Sequence, residues 1–406
     1  MRTLKLKNGE VFPFSHMEFM GIINVTPDSF YEASRVTQEE ALRKAEQMIK
    51  EGATFLDIGG ESTRPGAAPV TPEEEAGRVC PVIKKIKDAH PDVLVSVDTY
   101  HAYTAKKAIE AGVDIINDIS AMTFDPQMLS VVKEADIPVV LMHCNGRPDH
   151  MQDNPTYEDV TKEVHDFLRE RIETAESAGI DPEKILIDIG IGFGKTKEHC
   201  LELLDNLDAF YDLGKPHLMA VSRKSCLDHS LEKTIERTLD GAKHGIELAR
   251  VHDVKANADP VRQWEAADKT AVIAFGSNLG NSRELIQNGI DSLKELGTVE
   301  AVSTIIESEP YGVTDQPKFL NGALILKTKL TPYRLIDELN RIEAEQGRVR
   351  TLHWGPRTLD LDIIYYDDLT LNTPRLRVPH PDRLNRPFVM DPIKEIAPRD
   401  LWEAET

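Results

Sequence analysis

Short apolar runs alternate with longer stretches of helical spacing through most of the chain. The runs fall at Phe19–Val25, Thr54–Ile58, Val93–Val97, Asp114–Ile116, Val139–Met142, Ile185–Ile187, Leu218–Val221 and Leu248–Val251. Their length and β-branched content predict buried strands. Between them, Gln38–Glu51, Pro72–Ala89 and Asp159–Ala178 carry apolar residues at helical spacing. Ahead of the first run, Thr3–Phe14 reads as a β-hairpin, because Asn8-Gly9 suits a tight turn. Eight strand–helix units predict an α/β fold, a (β/α)8 TIM barrel. A doubly wound open sheet is the competing arrangement.

The rhythm changes at Thr270. The order becomes strand (Ala271–Phe275), helix (Asn281–Leu296), strand (Val299–Ile306), strand (Leu320–Lys327), helix (Pro332–Gln346), strand (Leu361–Tyr366). This βαββαβ order predicts a ferredoxin-like α+β domain. Ala256–Lys269, polar and rich in Ala and Asp, is the candidate linker, which gives domains over 1–265 and 270–406.

Charge narrows the function. The 406 residues hold 48 Lys+Arg against 69 Asp+Glu, a net −21, which disfavours nucleic-acid binding and favours small-molecule chemistry. The distribution is uneven: net −16 over residues 1–269 and −5 over 270–406, where 11 of 16 basic residues are arginine. No apolar run has the length of a membrane span, and MRTLKLKNGE lacks the apolar core of a secretory signal. Cys80, Cys144, Cys200 and Cys226 show no pairing or zinc-site spacing, so a reduced, cytoplasmic setting is expected.

In a barrel, chemistry collects where strands end. The predicted ends carry Asn24-Val25-Thr26, Asp57 through Gly66, Asp98-Thr99, Asn117-Asp118, His143, Asp188 followed by Gly190–Lys195, Ser222-Arg223-Lys224-Ser225 and Arg250-Val251-His252-Asp253. Any one of these is ordinarily a helix cap or turn residue. Their concurrence at every end resists that reading. Asp98, Asn117 and Asp188 offer acceptors for the N–H edge of a flat heterocycle. Arg64, Arg250 and His252 offer donors to an anion such as pyrophosphate, with Asn24 an oxygen ligand for its Mg²⁺. Ser222 lies where the next helix begins, a place that favours anions.

Residues 18–265 resemble dihydropteroate synthase through MGIINVTPDSF, DIGGESTRPGA, SVDTY, INDIS, LMHCNGRPDHMQ, DIGIGFGK, SRKS and RVHDV. The resemblance implies a (β/α)8 barrel that condenses dihydropterin-methyl pyrophosphate with p-aminobenzoate. It implies pterin contacts from Asp98, Asn117, Asp188 and Lys224, with Asp98 and Lys224 catalytic. It further implies Mg²⁺-pyrophosphate binding by Asn24, Arg64, Arg250 and His252, and p-aminobenzoate binding by Thr63, Pro65, Phe193 and Ser222. Three departures stand out: Ile189 where the family has Pro, Tyr31–Arg35 in place of a glycine-containing loop, and a short segment between Lys224 and His252. That segment bears on the seventh helix, near which family homodimers pack.

In the second domain, Asp360 and Asp362 are spaced to share one strand face and a divalent metal. Arg348, Arg350, Arg357, Arg375 and Arg386, with His380, suit a polyphosphate; Phe319 and Phe388 can stack a flat ring whose edge Asn321 reads. No Walker A motif occurs. Residues 270–398 resemble hydroxymethyl-dihydropterin pyrophosphokinase through AFGSNLGN, DQPKFLNGA, RIEAEQGRVR, WGPRTLDLDI, RLRVPH and NRPF. The resemblance implies that Asp360 and Asp362 bind two Mg²⁺ and that Phe319, Asn321 and Phe388 hold the pterin. Glu343, Arg348, Arg350, Trp354, Arg357, His380 and Arg386 would line ATP and the catalytic loops, with Arg357 and Arg386 catalytic. Departures are Phe319, where Tyr is common, and a short loop between Arg350 and Trp354.

Together the halves predict a bifunctional enzyme of folate biosynthesis whose second domain makes the substrate of the first. The alternatives are a chain with one working domain, a non-catalytic pterin-binding barrel, or a methyl-tetrahydrofolate domain of a cobalamin methyltransferase.

Overall fold

The computed structural model describes residues 2–25, 33–62, 70–311, 315–349 and 355–398, with the side chains of the first helix from 38 onward. The chain divides into two units, Met1–Arg262 and Gln263–Thr406. Among the described residues no helix is long and apolar enough to cross a membrane.

The expected hairpin forms from β1 (Thr3–Lys5) and β2 (Val11–Pro13), paired antiparallel around Asn8-Gly9. The barrel strands follow: β3 (Glu18–Asn24), β4 (Phe55–Gly59), β5 (Leu94–Asp98), β6 (Ile115–Asp118), β7 (Val139–Met142), β8 (Ile185–Asp188), β9 (Leu218–Met219) and β10 (Leu248–Val251). They pair in parallel in the order β8-β7-β6-β5-β4-β3-β10-β9. A parallel bridge between Ile187 and His217 joins the two ends of that order. The sheet is therefore a closed barrel, not the competing open sheet. Val139–Met142 and Leu248–Val251 lie where their apolar runs predict.

The helices around it are α1 (Ala33–Glu51), α2 (Pro72–Ala89), α3 (Ala102–Ala111), α4 (Met128–Ala135), α5 (Val160–Ser177), α6 (Lys197–Asp205), α7 (Leu231–Lys243) and α8 (Val254–Ala266). Local chemistry starts them where they start. Thr71 caps α2 ahead of Pro72, and Asp159 caps α5 by accepting from Lys162 N at 2.9 Å. The short segment before Arg250 still builds α7, 13 residues long and capped by Ser230. The candidate linker Ala256–Lys269 is not a linker over most of its length. It continues α8, which buries Val254, Asn257, Ala258 and Val261.

Leu4 and Phe14 of the hairpin region join Met20, Phe55, Ile115, Val140, Leu186, Leu218 and Leu248 in one buried cluster, with Phe12 packed against it. Most of these barrel residues stand at or next to strand starts, so the hairpin plugs the N-terminal mouth. Lys5–Asp181 (2.8 Å) and Arg2–Glu247 (2.9 Å) pin it there. Only the opposite mouth is left for a ligand.

The second unit holds β11 (Lys269–Ser277), α9 (Ser282–Leu293), β12 (Thr298–Val302), β13 (Ile306–Ser308), β14 (Phe319–Thr328), α10 (Pro332–Glu345), β15 (Asp360–Tyr366), β16 (Leu371–Asn372), β17 (Arg377–Val378) and α11 (Pro387–Ile396). The main sheet is antiparallel in the order β12-β14-β11-β15, as the ferredoxin-like split requires. The single strand expected at Val299–Ile306 is broken in two around Ser303, whose hydroxyl accepts from Ala323 N (2.9 Å). Helix α11 has no counterpart among the predicted elements. Its Val389, Met390 and Ile393 pack with Val272, Ala274, Ala323 and Ile364 on one sheet face.

Candidate functional site

Residues at the C-terminal barrel mouth are tied together by one guanidinium. Arg250 Nε donates to Asp57 Oδ2 and Nη2 to Asp98 Oδ2, both at 2.6 Å. Asp57 is fully buried and also accepts from Ser96 and, at 3.1 Å, from Asn117 Nδ2. Two carboxylates share one cation here, so negative charge is in surplus. Burial pushes Asp98 up to about 7 against the pull of Arg250, with Asp57 adding to the rise.

Strand register sets Asn117 beside Asp98. With Nδ2 given to Asp57, Asn117 Oδ1 is buried and lacks a partner among the described residues. Asp188 is 2% exposed; its Oδ1 accepts from Gly190 N at 2.7 Å, and burial raises it to about 6. Lys224 lies across the site with Nζ 4.3 Å from the centroid of the Phe193 ring, its pKa lowered by burial and by Arg250. Ser222 Oγ is 3.0 Å from His252 Nδ1, and burial lowers that imidazole to about 4. Asn24 ends β3 and is exposed. Asp98, Asn117, Asp188, Lys224, Phe193, Ser222, Arg250 and His252 thus share one mouth. Thr63, Arg64 and Pro65 lie outside the described residues.

Two residues here had no role in the sequence reading. Asp57 reads as one polar position at a strand end; its partners Asn117 and Arg250 are distant in sequence, so only the fold reveals it. Lys195, expected as the end of a glycine-rich loop, is 4% exposed.

In the second unit, register places Asn321 and Asp360 on either side of Gly276, and Asp362 beside Ala274. All five positions therefore lie on the same face. Helix α11 covers one end of this face and leaves the other as a cleft whose lining includes Gly276, Ser308, Tyr311, Phe319, Asn321, Arg357, Asp360, Asp362, Arg386 and Phe388. A Cβ on Gly276 would come within 2.8 Å of Asn321 Oδ1, so the close approach needs glycine. Asn321 Nδ2 donates to Ser308 Oγ at 2.7 Å. The Arg357 guanidinium lies 5.5 Å from the Phe319 ring centroid, and that of Arg386 lies 5.2 Å from Tyr311, itself 6.1 Å from Phe388.

Asp360 accepts from both Arg348 and Arg357. Glu343, 3% exposed, accepts from Leu361 N (2.8 Å) and from Arg348 (2.5 Å). Burial, with Asp360 and Glu343 close by, pushes Asp362 up to about 7. Asn278 fixes Arg357, accepting its N–H at 2.8 Å. His380 is bonded through its backbone to Ile364, and Arg375 is held by Asp337. Arg350 and Trp354 lie outside the described residues.

Among the described residues no group of three or more His, Cys, Asp and Glu is arranged to hold a metal. The fit to a divalent cation rests on two carboxylates. The protein already neutralises Asp360 with two guanidiniums, while burial and the neighbouring carboxylates raise the pKa of Asp362. Both conditions favour a cation delivered with a polyphosphate.

Comparison with known proteins agrees with both halves. The model of the family described as pterin binding enzyme matches residues 20–252, and that described as 7,8-dihydro-6-hydroxymethylpterin-pyrophosphokinase matches residues 272–398. The dihydropteroate synthase of Haemophilus influenzae is 39% identical over 268 residues, covering 64% of this chain and 97% of that one. That of Streptococcus pyogenes serotype M6 is 43% identical over 267 residues, covering 63% and 97%. Among solved structures, Xanthomonas albilineans dihydropteroate synthase with 4-aminobenzoic acid aligns with a TM-score of 0.60 at 40% identity, over 65% of this chain and 97% of that one. The Yersinia pestis enzyme in a sulfonamide drug complex aligns with a TM-score of 0.60 at 36% identity, over 64% and 97%.

Proposed function

This chain belongs to the pterin binding enzyme family, and we propose that it performs two consecutive steps of folate biosynthesis with the residues described above. The C-terminal domain transfers pyrophosphate from ATP to hydroxymethyl-dihydropterin, and the barrel condenses the product with p-aminobenzoate.

The observation that carries the barrel's half is the unpartnered, buried Oδ1 of Asn117 beside Asp98. A buried acceptor left unmet costs about 1–3 kcal/mol, so its natural use is to meet a ligand N–H. With Asp188, which accepts only from Gly190 among the described residues, it supplies the acceptor edge a pterin ring needs. Ring binding leaves the exocyclic CH2–O bond beside Asp98. As that bond breaks and pyrophosphate leaves, positive charge grows on the pterin methylene, and the Asp98 carboxylate stabilises it. Arg250, His252 and Arg64 take the departing anion. The aryl amine, held beside Phe193 and Lys224 with its carboxylate toward Ser222, then attacks the methylene and loses a proton.

In the C-terminal domain Phe319, Phe388 and Asn321 hold the pterin. Its hydroxymethyl oxygen attacks the β-phosphorus of ATP, the bond to the α-phosphate oxygen breaks, and AMP leaves. Arg357 and Arg386 face the charge of the transferred group, while Glu343, Arg348 and His380 line the nucleotide side, to which the resemblance also assigns Arg350 and Trp354. Mg²⁺, held by Asp360 and Asp362 here and by Asn24 in the barrel, would supply neutralisation of phosphate charge.

Calorimetry of Asp188→Ala with a dihydropterin tests the barrel assignment. Loss of at least about tenfold in affinity is expected, and unchanged affinity would reject the role.

A further inference from the structure

Lys195 is buried behind the turn that links Asp188 to Phe193, and its ammonium spends its protons on three acceptors. Nζ lies 2.9 Å from Gly190 O, 3.1 Å from Phe193 O and 2.8 Å from His143 Nδ1. Among the described residues no carboxylate is bonded to it. A charge kept this deep without a counter-ion is costly, so an apolar residue would be the ordinary occupant unless the three bonds matter.

They converge on one turn and supply its side-chain bonds to Gly190 O and Phe193 O. Gly190 adopts φ +66°, and a Cβ there would lie 1.8 Å from His143 O, so the turn sits directly against the end of β7. The Gly190 peptide is gripped on both sides: its N–H reaches Asp188 Oδ1 at 2.7 Å and its carbonyl reaches Lys195. Gln152 and Tyr157 bond the carbonyls of Gly192 and Gly194, that of Gly190 accepts from Phe193 N at 3.1 Å as well as from Lys195, and that of Phe193 accepts from Lys195.

We propose that Lys195 is a positioning residue of the synthase reaction: its ammonium sets Phe193 against Lys224 for the aryl amine and aims Asp188 at the pterin. The inference rests on the synthase reading above. A neutral amine has only two protons for three acceptors and turns a lone pair toward one of them. The turn is therefore expected to loosen when Lys195 loses its proton.

Burial lowers the Lys195 pKa to about 8, so the change falls at the alkaline edge of the working range. The titratable groups facing it are His143, held neutral near 2 by burial; Cys144, raised to about 11; Cys200 of α6, lowered to about 7; Asp188, near 6; and Lys224, lowered. Tyr157, above His143, is shifted up out of range. Cys200, and Lys224 with its lowered pKa, are the competing titrations, so the test must separate them from Lys195.

The experiment compares wild-type chain, Lys195→Met and Lys195→Arg in the synthase assay with pre-formed pterin pyrophosphate, between pH 7 and 9. The pyrophosphokinase reaction of each preparation serves as a second readout of the same chain. For wild type, KM for p-aminobenzoate is expected to rise with pH, with kcat changing less. For Lys195→Met it should be raised about tenfold or more throughout, with the rise abolished; for Lys195→Arg it should stay near the low-pH wild-type value. An unchanged KM in a folded Lys195→Met, or a rise with the same midpoint in all three, overturns the proposal. Should Lys195→Met not fold, wild type against Lys195→Arg decides: divergence above pH 8 supports it and parallel curves overturn it. Wild type making no dihydropteroate at any pH would instead reject the synthase reading itself.

Discussion

The guanidinium of Arg250 donates to the carboxylate of Asp98 across the barrel mouth, Nη2 to Oδ2 at 2.6 Å. Strands β4 and β3 lie between their two strands, so the contact spans the mouth rather than one ladder. The cation expected to receive the leaving anion and the carboxylate expected to face the pterin are one ion pair. In the proposed reaction, pyrophosphate is expected to compete for Arg250 and so to leave Asp98 more fully available to the positive charge that develops as the anion departs.

Arg250→Met leaves Asp57 and Asp98 buried without their shared counter-ion. Breaking such a pair costs about 3–5 kcal/mol, and urea unfolding followed on the barrel should register a loss of that size together with loss of synthase activity. Stability within 1 kcal/mol of wild type would mean the guanidinium is not compensating these carboxylates.

Synthase turnover should fall on the acid side with an apparent pKa of about 6–7, because Asp188 and Asp98 must be ionised to accept the ring N–H groups and face the cation. The stability sign runs the other way. Asp188 binds its proton more tightly folded than unfolded, so its contribution is greatest at low pH and is lost as pH rises through about 6. Asp188→Asn should therefore gain stability relative to wild type between about pH 4 and pH 7 while losing pterin affinity. Thermal melts at several pH values check the first half, and a difference that shrinks with rising pH would contradict it.

Asp362→Ala is expected to abolish AMP formation while leaving condensation of pre-formed pterin pyrophosphate at the wild-type rate. The carboxylate lines the cleft of the second unit. Assaying the two reactions on one preparation is sufficient, and AMP release at the wild-type rate would remove Asp362 from the site.

Each unit should work alone when cut correctly. The buried face of α8 ends at Val261, whereas Lys269, 1% exposed, donates to the carbonyls of Trp264, Glu265 and Ala267. A pyrophosphokinase fragment starting at Gln263 keeps those acceptors. One starting at Asp268 strands the ammonium and should be less stable by about 1–3 kcal/mol. Equal denaturation midpoints for the two fragments would show that the contacts carry no weight.

Much of this was legible in the residue pattern. The strands are short, β-branched and evenly spaced, and motifs such as DIGGESTRPGA and WGPRTLDLDI mark both sites. What escaped has physical causes. The buried face of α8 includes Asn257, whose amide is met by Thr238 and by Asp253 O, so the segment looks like a polar linker. Helix α11 was hidden by Pro387 and Pro392; the first stands at the opening helical position, where a missing N–H costs nothing. The roles of Asp57 and Lys195 depend on partners that only barrel closure and turn geometry bring within reach.

The most direct measurement supplies the whole chain with ATP, Mg²⁺, hydroxymethyl-dihydropterin and p-aminobenzoate, and quantifies three products together. We expect dihydropteroate, with one AMP and one pyrophosphate formed for each. AMP without dihydropteroate, or dihydropteroate only from pre-formed pterin pyrophosphate, would contradict a chain in which both domains act in sequence.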